Sequence, residues 1–135
     1  MTSTTSKQSD VFHLIQEHIW LKCKKDNKAY TPPTYEQDGF IHATKDPSML
    51  IDVGNHFYKS DPSSYLLLRI ATALLDVPIK YEAAAPVGDT EAHTAKPEVL
   101  FPHIYGPLNL TSITKEYSVA RSDDGTFLSI NGLDN

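Results

Sequence analysis

Tyr65-Leu66-Leu67-Leu68-Arg69-Ile70 is the stretch on which the fold turns. It is almost continuously apolar and is bounded by turn signals, Ser60-Asp61-Pro62 lying on its N-terminal side. A half-exposed strand alternates apolar and polar residues, and this run does not, so it reads as a strand buried on both faces. N-terminal to it, Asp46-Pro47 is a helix start, with Asp as N-cap and Pro at the first helical position. Met49, Leu50, Val53 and Phe57 then recur at helical spacing, which lays one face of that helix on the core and ends it near Tyr58. Further back, Asp38-Gly39 marks a turn and Phe40-Ile41-His42-Ala43 a strand leaving it. Val11-Phe12-His13-Leu14-Ile15 is a first strand, and Gln16 to Lys24 a short helix with Ile19 and Trp20 inward. Lys22, Lys24, Lys25 and Lys28 are solvated cations at the end of that helix, favourable to its dipole. Ala29-Tyr30 reads as a brief strand and Thr31-Pro32-Pro33-Thr34 as a stiff extended connector.

C-terminal to the apolar run, Ala71 to Leu75 forms a helical turn and Pro78 to Glu82 a half-exposed strand. Ala83 to Pro97 lacks periodicity and reads as a long surface loop. Phe101 to Leu108 is irregular but rich in apolar and aromatic residues. Its two prolines and one glycine suggest a stiff loop that presents His103 and Tyr105. Ile113 to Arg121 alternates as a late strand, which Asp123-Asp124-Gly125 turns into a terminal hairpin with Thr126 to Ile130. No repeat or linker interrupts the chain. Residues 10–135 therefore read as one α+β domain, and the polar residues 1–9 as a disordered tail.

Composition narrows the function. The 135 residues are 40% apolar, enough for one core. The formal net charge of −5 argues against a general nucleic-acid or anionic-membrane binder, which needs a basic field. Arginine occurs only as Arg69 and Arg121, too few to clamp several phosphates. The single cysteine, Cys23, rules out an intramolecular disulfide and a four-cysteine zinc site, and fits a reducing, cytoplasmic setting. No apolar run reaches membrane-spanning length. The phosphate-cradling P-loop, GxGxxG, HExxH and GxSxG patterns are all absent, so P-loop, hydride-transfer and common hydrolase chemistries lose their main support.

What remains is histidine. Of six, His13, His42 and His103 lie in compact apolar segments, where an imidazole must find hydrogen-bond partners. Any one of them alone is an ordinary structural histidine. Three in separate segments weaken that reading and point to a ligand site. His18 and His56 sit on helices, and His93, in the long loop, is assigned no role. Glu82 ends a strand, where a carboxylate can act as acid, base or hydroxyl acceptor.

Phe12-His13-Leu14, Trp20, Tyr30-x-Pro32 and Gly39-Phe40-Ile41-His42-Ala43-Thr44 resemble, in that order, domain-of-unknown-function family 952. Asn55-His56-Phe57-Tyr58, Leu66-Leu67-Leu68, Tyr81-Glu82 and Phe101-Pro102-His103-Ile104-Tyr105-Gly106-Pro107-Leu108 continue the pattern, which spans roughly residues 11–119. The resemblance implies an ADP-ribosyltransferase-like fold, two small antiparallel sheets around a cleft with a few short helices. It implies NAD as a possible substrate, with His13 at the first-strand position and His42 at the second. Glu82, His103 and Tyr105 compete for the third position, and no clear catalytic glutamate motif is present. The expected site therefore has His13, His42 and Glu82 as catalytic residues, with Thr44, Tyr58, His103 and Tyr105 as ligand contacts. No cofactor is firmly implied. Two other readings stand beside transfer of ADP-ribose or cleavage of NAD. One is a non-catalytic small-molecule binding module on the same fold. The other is a three-histidine metal site made by His13, His42 and His103.

Overall fold

The apolar run forms the strand Tyr65–Ala71, which occupies an inner position in a four-stranded sheet. The computed structural model describes residues 10–93 and 98–133, so the tail expected at residues 1–9 and part of the long loop lie outside the described residues. In chain order the strands are β1 (Asp10–Gln16), β2 (Ile41–His42), β3 (Tyr65–Ala71), β4 (Ile79–Glu82), β5 (Phe101–Ile104), β6 (Ile113–Arg121) and β7 (Phe127–Ile130). The helices are α1 (Glu17–Asp26), the single turn α2 (Tyr35–Asp38) and α3 (Leu50–Phe57). All pairings are antiparallel, and the sheets run β1-β3-β6-β7 and β2-β5-β4.

Strand alternation explains why β3 is apolar throughout. Leu68 and Ile70 pack in one core cluster with Val11, Ile15, Trp20, Ile41 and Ile104. Tyr65 and Leu67, pointing the other way, pack with Phe12, Leu14, Leu50, Val53 and Phe127. A strand with a core on each face has no solvent side on which to place polar residues. Arg69 is the exception. It sits partly exposed, gives its Nε–H to Asp10 (2.7 Å) and its Nη1–H to Tyr117 (3.2 Å), and lies over the Phe12 ring.

The caps behave as their residues dictate. Asp46 accepts the Ser48 N–H (3.0 Å) ahead of a 3-10 turn that leads into α3. Gly39 closes α2 with φ +85°, a left-handed conformation that glycine adopts without steric cost. Asn27 ends α1 in the same left-handed region. The terminal hairpin is clamped from below by Arg121. Its guanidinium donates to the carbonyls of Tyr58, Asp61, Ser63 and Gly125 and stacks 4.4 Å from the Phe127 ring.

Two segments differ from expectation. Phe101–Ile104 is not a loop but β5, the buried central strand of the smaller sheet. Pro102 argued against a strand because it has no N–H to give a ladder. It is tolerated here because its backbone nitrogen and carbonyl both face Ala43, just past the end of β2 at His42, where the carbonyl accepts (3.0 Å), while toward β4 it stays in register with Tyr81. The strand expected at Phe40–Ala43 shortens to Ile41–His42, and Phe40 stays outside it with its ring stacked on His103.

Helix α3 lies on β7 so closely that a Cβ on Gly54 would meet the Phe127 ring at 2.7 Å. That ring is held by Arg121 and cannot swing away. Gly54→Ala, which raises helix propensity, is therefore expected to destabilise the protein by about 1–3 kcal/mol through overpacking, measured by urea denaturation.

Candidate functional site

The two sheets meet where β1 runs beside the end of β2. Phe12 and Thr44 exchange both backbone hydrogen bonds (2.8 Å each), and Ala43 is buried beside them. This contact brings His13 against His42. The His13 Nδ1 lies 2.6 Å from the His42 carbonyl and its Nε2 lies 3.0 Å from the Tyr30 hydroxyl. A carbonyl only accepts, so Nδ1 carries the proton and Nε2 accepts from Tyr30. Both ring nitrogens are thus engaged within the protein. Burial, partly offset by the bond to the His42 carbonyl, pushes the His13 pKa down to about 4.

His42 and His103 are cross-strand partners in the β2–β5 register, with ring centroids 5.5 Å apart. Each is oriented by a carboxylate. Asp38 Oδ2 lies 3.0 Å from His42 Nε2, and Glu82 Oε1 lies 2.7 Å from His103 Nδ1. Asp38 is itself fixed by the Gly88 N–H (3.1 and 3.2 Å), and Glu82 accepts a second bond from the Tyr105 hydroxyl (2.6 Å). These bonds hold the Glu82 carboxyl below the usual carboxylate range. Burial lowers the His42 pKa despite the opposing pull of Asp38. Since an ionised carboxylate only accepts, the bonded nitrogen of each ring carries the proton. The other nitrogen, His42 Nδ1 and His103 Nε2, has no hydrogen-bond partner among the described residues.

His13, His42, Thr44, Tyr58 and His103 all line one pocket between β1, the β2 end and α3, with a cavity of about 30 Å³. The remainder of its wall is largely apolar and includes Phe12, Leu50, Phe57 and Phe101. It adjoins a larger groove of about 300 Å³ that shares His13, Leu14, Phe57, Tyr58 and Val87 with it. Of the seven expected site residues, five therefore share this pocket. Glu82 and Tyr105 do not line it and reach it only through His103. The proposed metal set does not assemble. His13 has no free nitrogen, and among the described residues no group of three metal-ligating side chains is placed to hold an ion.

Three participants were not foreseen. In the sequence Asp38 reads only as a turn residue, although the Asp38–His42 spacing of four is itself a signal for a side-chain pair. Tyr30, read as part of a strand, is the partner of His13. His93 lines the same pocket with its Nε2 3.2 Å from Asp52 and its Nδ1 buried without a partner among the described residues. Forty-one residues separate Asp52 from His93, so nothing local in the sequence announces that pair.

A family model described as a protein of unknown function (DUF952) matches residues 14–116. The chain belongs to this family. The DUF952 match runs from β1 into β6 and so contains every residue of the pocket except Phe12 and His13. Among solved structures the chain is similar to protein CC0527 from Caulobacter crescentus. The crystal structure of that protein is 19% identical, with 88% of this chain and 93% of that chain covered and a TM-score of 0.66. Its solution NMR structure is 21% identical, covering 87% and 90%, with a TM-score of 0.60. At these identities the likeness is one of fold. No curated protein matches the chain. Among the described residues no helix is long and apolar enough to cross a membrane.

The buried His13 makes the fold acid-sensitive. An unfolded chain takes up a proton on this histidine near 6.5, the folded protein only near 4. Between those values the unfolded state binds more protons, so stability falls as pH drops from 6.5 to 4 and levels off below. The expected loss from this group is about 3 kcal/mol, measurable as urea unfolding free energies across that range. An NMR titration in which the His13 ring protonates near 6.5 would contradict the assignment.

Proposed function

We propose that the chain is a small-molecule-binding domain whose ligand enters the cleft between the sheets and is read by His42 and His103. The observation that carries this is the paired arrangement of the two rings. They occupy directly opposed strand positions, each has one nitrogen anchored on a carboxylate, and each keeps the other unused in the lining of one apolar pocket. Structural histidines bury both nitrogens in partners, as His13 does. A pocket with apolar walls and a few oriented polar groups is the usual form of a small-molecule site.

A second reading is the ADP-ribosyltransferase-like one, with the nicotinamide end of NAD in the pocket. What supports it is that two small antiparallel sheets flank a cleft, with His13 on β1 and His42 on β2 lining one pocket. Other features disfavour it. Arg69 and Arg121 are both committed to internal bonds far from a pyrophosphate role. Glu82 does not line the pocket, which leaves the ribose without a carboxylate beside it.

The test is a thermal-shift screen of compact ring compounds, including nicotinamide and NAD, followed by NMR of the imidazole nitrogens. Ligands are expected to move the His42 and His103 signals. His42→Gln keeps a donor for Asp38 while deleting Nδ1, and should abolish the shifts at unchanged melting temperature. Ligands that bind equally well to His42→Gln and leave both rings undisturbed place the function elsewhere. The second reading requires, beyond binding, a saturable shift with NAD and release of nicotinamide.

A further inference from the structure

The polarity of the pocket is more specific than its shape. His93 adds a third imidazole to the lining, and its Nε2 also faces a carboxylate, the exposed Asp52. Three rings on β2, β5 and the loop after β4 thus share one arrangement: the protonated nitrogen is given to an acid, and the remaining nitrogen is a lone-pair acceptor. The buried His93 Nδ1 is an orphan acceptor, a costly feature that a ligand donor would satisfy. All three rings belong to the pocket lining, and each keeps one nitrogen without a partner among the described residues. Its surroundings are negative as well. The lining of the pocket and of the adjoining groove contains Asp61 and Asp89 and no lysine or arginine among the described residues. Burial works to raise the Asp61 carboxyl, but hydrogen bonds from Ser63, Tyr65 and Gln16 together outweigh it and hold the pKa down to about 2, so it is charged at neutral pH. Aromatic rings of Phe12, Phe57, Tyr58 and Phe101 complete the wall, and their faces attract cations.

We infer that the cleft takes a small organic cation bearing N–H donors, an amine or amidine on a compact ring, and not a phosphorylated ligand. This deepens the proposed function and rests on the cleft being a ligand site. The cavity of about 30 Å³ has room for one small polar group, and the groove of about 300 Å³ has room for a ring. The donor end enters between His42, His103 and His93, and the ring lies against Phe57 and Tyr58 toward the groove. A bare metal ion fits less well, because among the described residues no three ligating side chains converge on one point. An anion would meet acceptor nitrogens and carboxylates with no lysine or arginine in the lining, among the described residues, to offset them.

Three probes of one shape and different charge decide the matter: benzamidine, benzamide and benzoate, titrated at pH 7.5 by calorimetry with NMR of the imidazole nitrogens. Benzamidine is expected to bind about tenfold more tightly than benzamide or better, with benzoate silent. His42→Gln and His103→Asn, which keep the donors to Asp38 and Glu82 and delete the acceptors, should each weaken benzamidine about tenfold. Benzoate or ADP-ribose binding in the cleft as tightly as benzamidine overturns the charge assignment and leaves the cleft reading standing. Benzamidine that binds both variants as it binds the wild type, or none of the three probes binding at millimolar concentration, overturns it too. Stoichiometric zinc that displaces benzamidine also overturns it, making the rings a metal site.

Discussion

The reciprocal backbone hydrogen bonds between Phe12 and Thr44 are the contact on which the cleft depends. They join the edge of the larger sheet to the end of the shortest strand, and they do so beside the buried His13 and the half-buried His42. The His13 side chain reinforces the junction by donating to the His42 carbonyl, so the same residue that looks catalytic in sequence is the pin between the sheets. Its second nitrogen is closed by Tyr30. A neutral, fully bonded imidazole in an apolar setting adds directionality that aliphatic packing lacks, at the cost of sensitivity to acid.

Around this junction the charged residues divide into two groups. The only two arginines are spent on structure: Arg69 ties β3 to β1 and β6, and Arg121 gathers the carbonyls of the loop after α3 under the terminal hairpin. Three of the carboxylates near the pocket do the opposite and face histidines. Asp38, Glu82 and Asp52 each orient one ring. Among the described residues no lysine or arginine lines the cleft to offset these acids. The electrostatic character of the site is thus set by where the arginines are not needed as much as by where the acids are.

Legibility followed the range of the interactions. The strands at Val11, Tyr65 and Ile113, the terminal hairpin, and the Asp46-Pro47 helix start are local patterns of periodicity, turn chemistry and capping, and they occur where those patterns place them. His13, His42 and His103 stand out in the sequence because polar groups in apolar runs need partners, and all three lie in the lining of one pocket. Phe101–Ile104 reads as a loop in the sequence because Pro102 cannot donate to a ladder, and the position where no donor is needed, beside Ala43 past the end of β2, is set by a segment some sixty residues away. Glu82 and Tyr105 were given direct roles because strand-end acids and tyrosines look accessible. Glu82 instead orients His103, and the Tyr105 hydroxyl donates to Glu82.

The sequence by itself determined the elements, the two-faced burial of β3 and the shortage of arginine, because each is a property of neighbouring residues or of composition. Tertiary structure alone decided which histidines are available. His13, His42 and His103 have similar surroundings in the sequence, yet one is closed by Tyr30 and a carbonyl while the others keep a free nitrogen. An imidazole's role depends on what each of its two nitrogens meets, and those partners come from other parts of the chain.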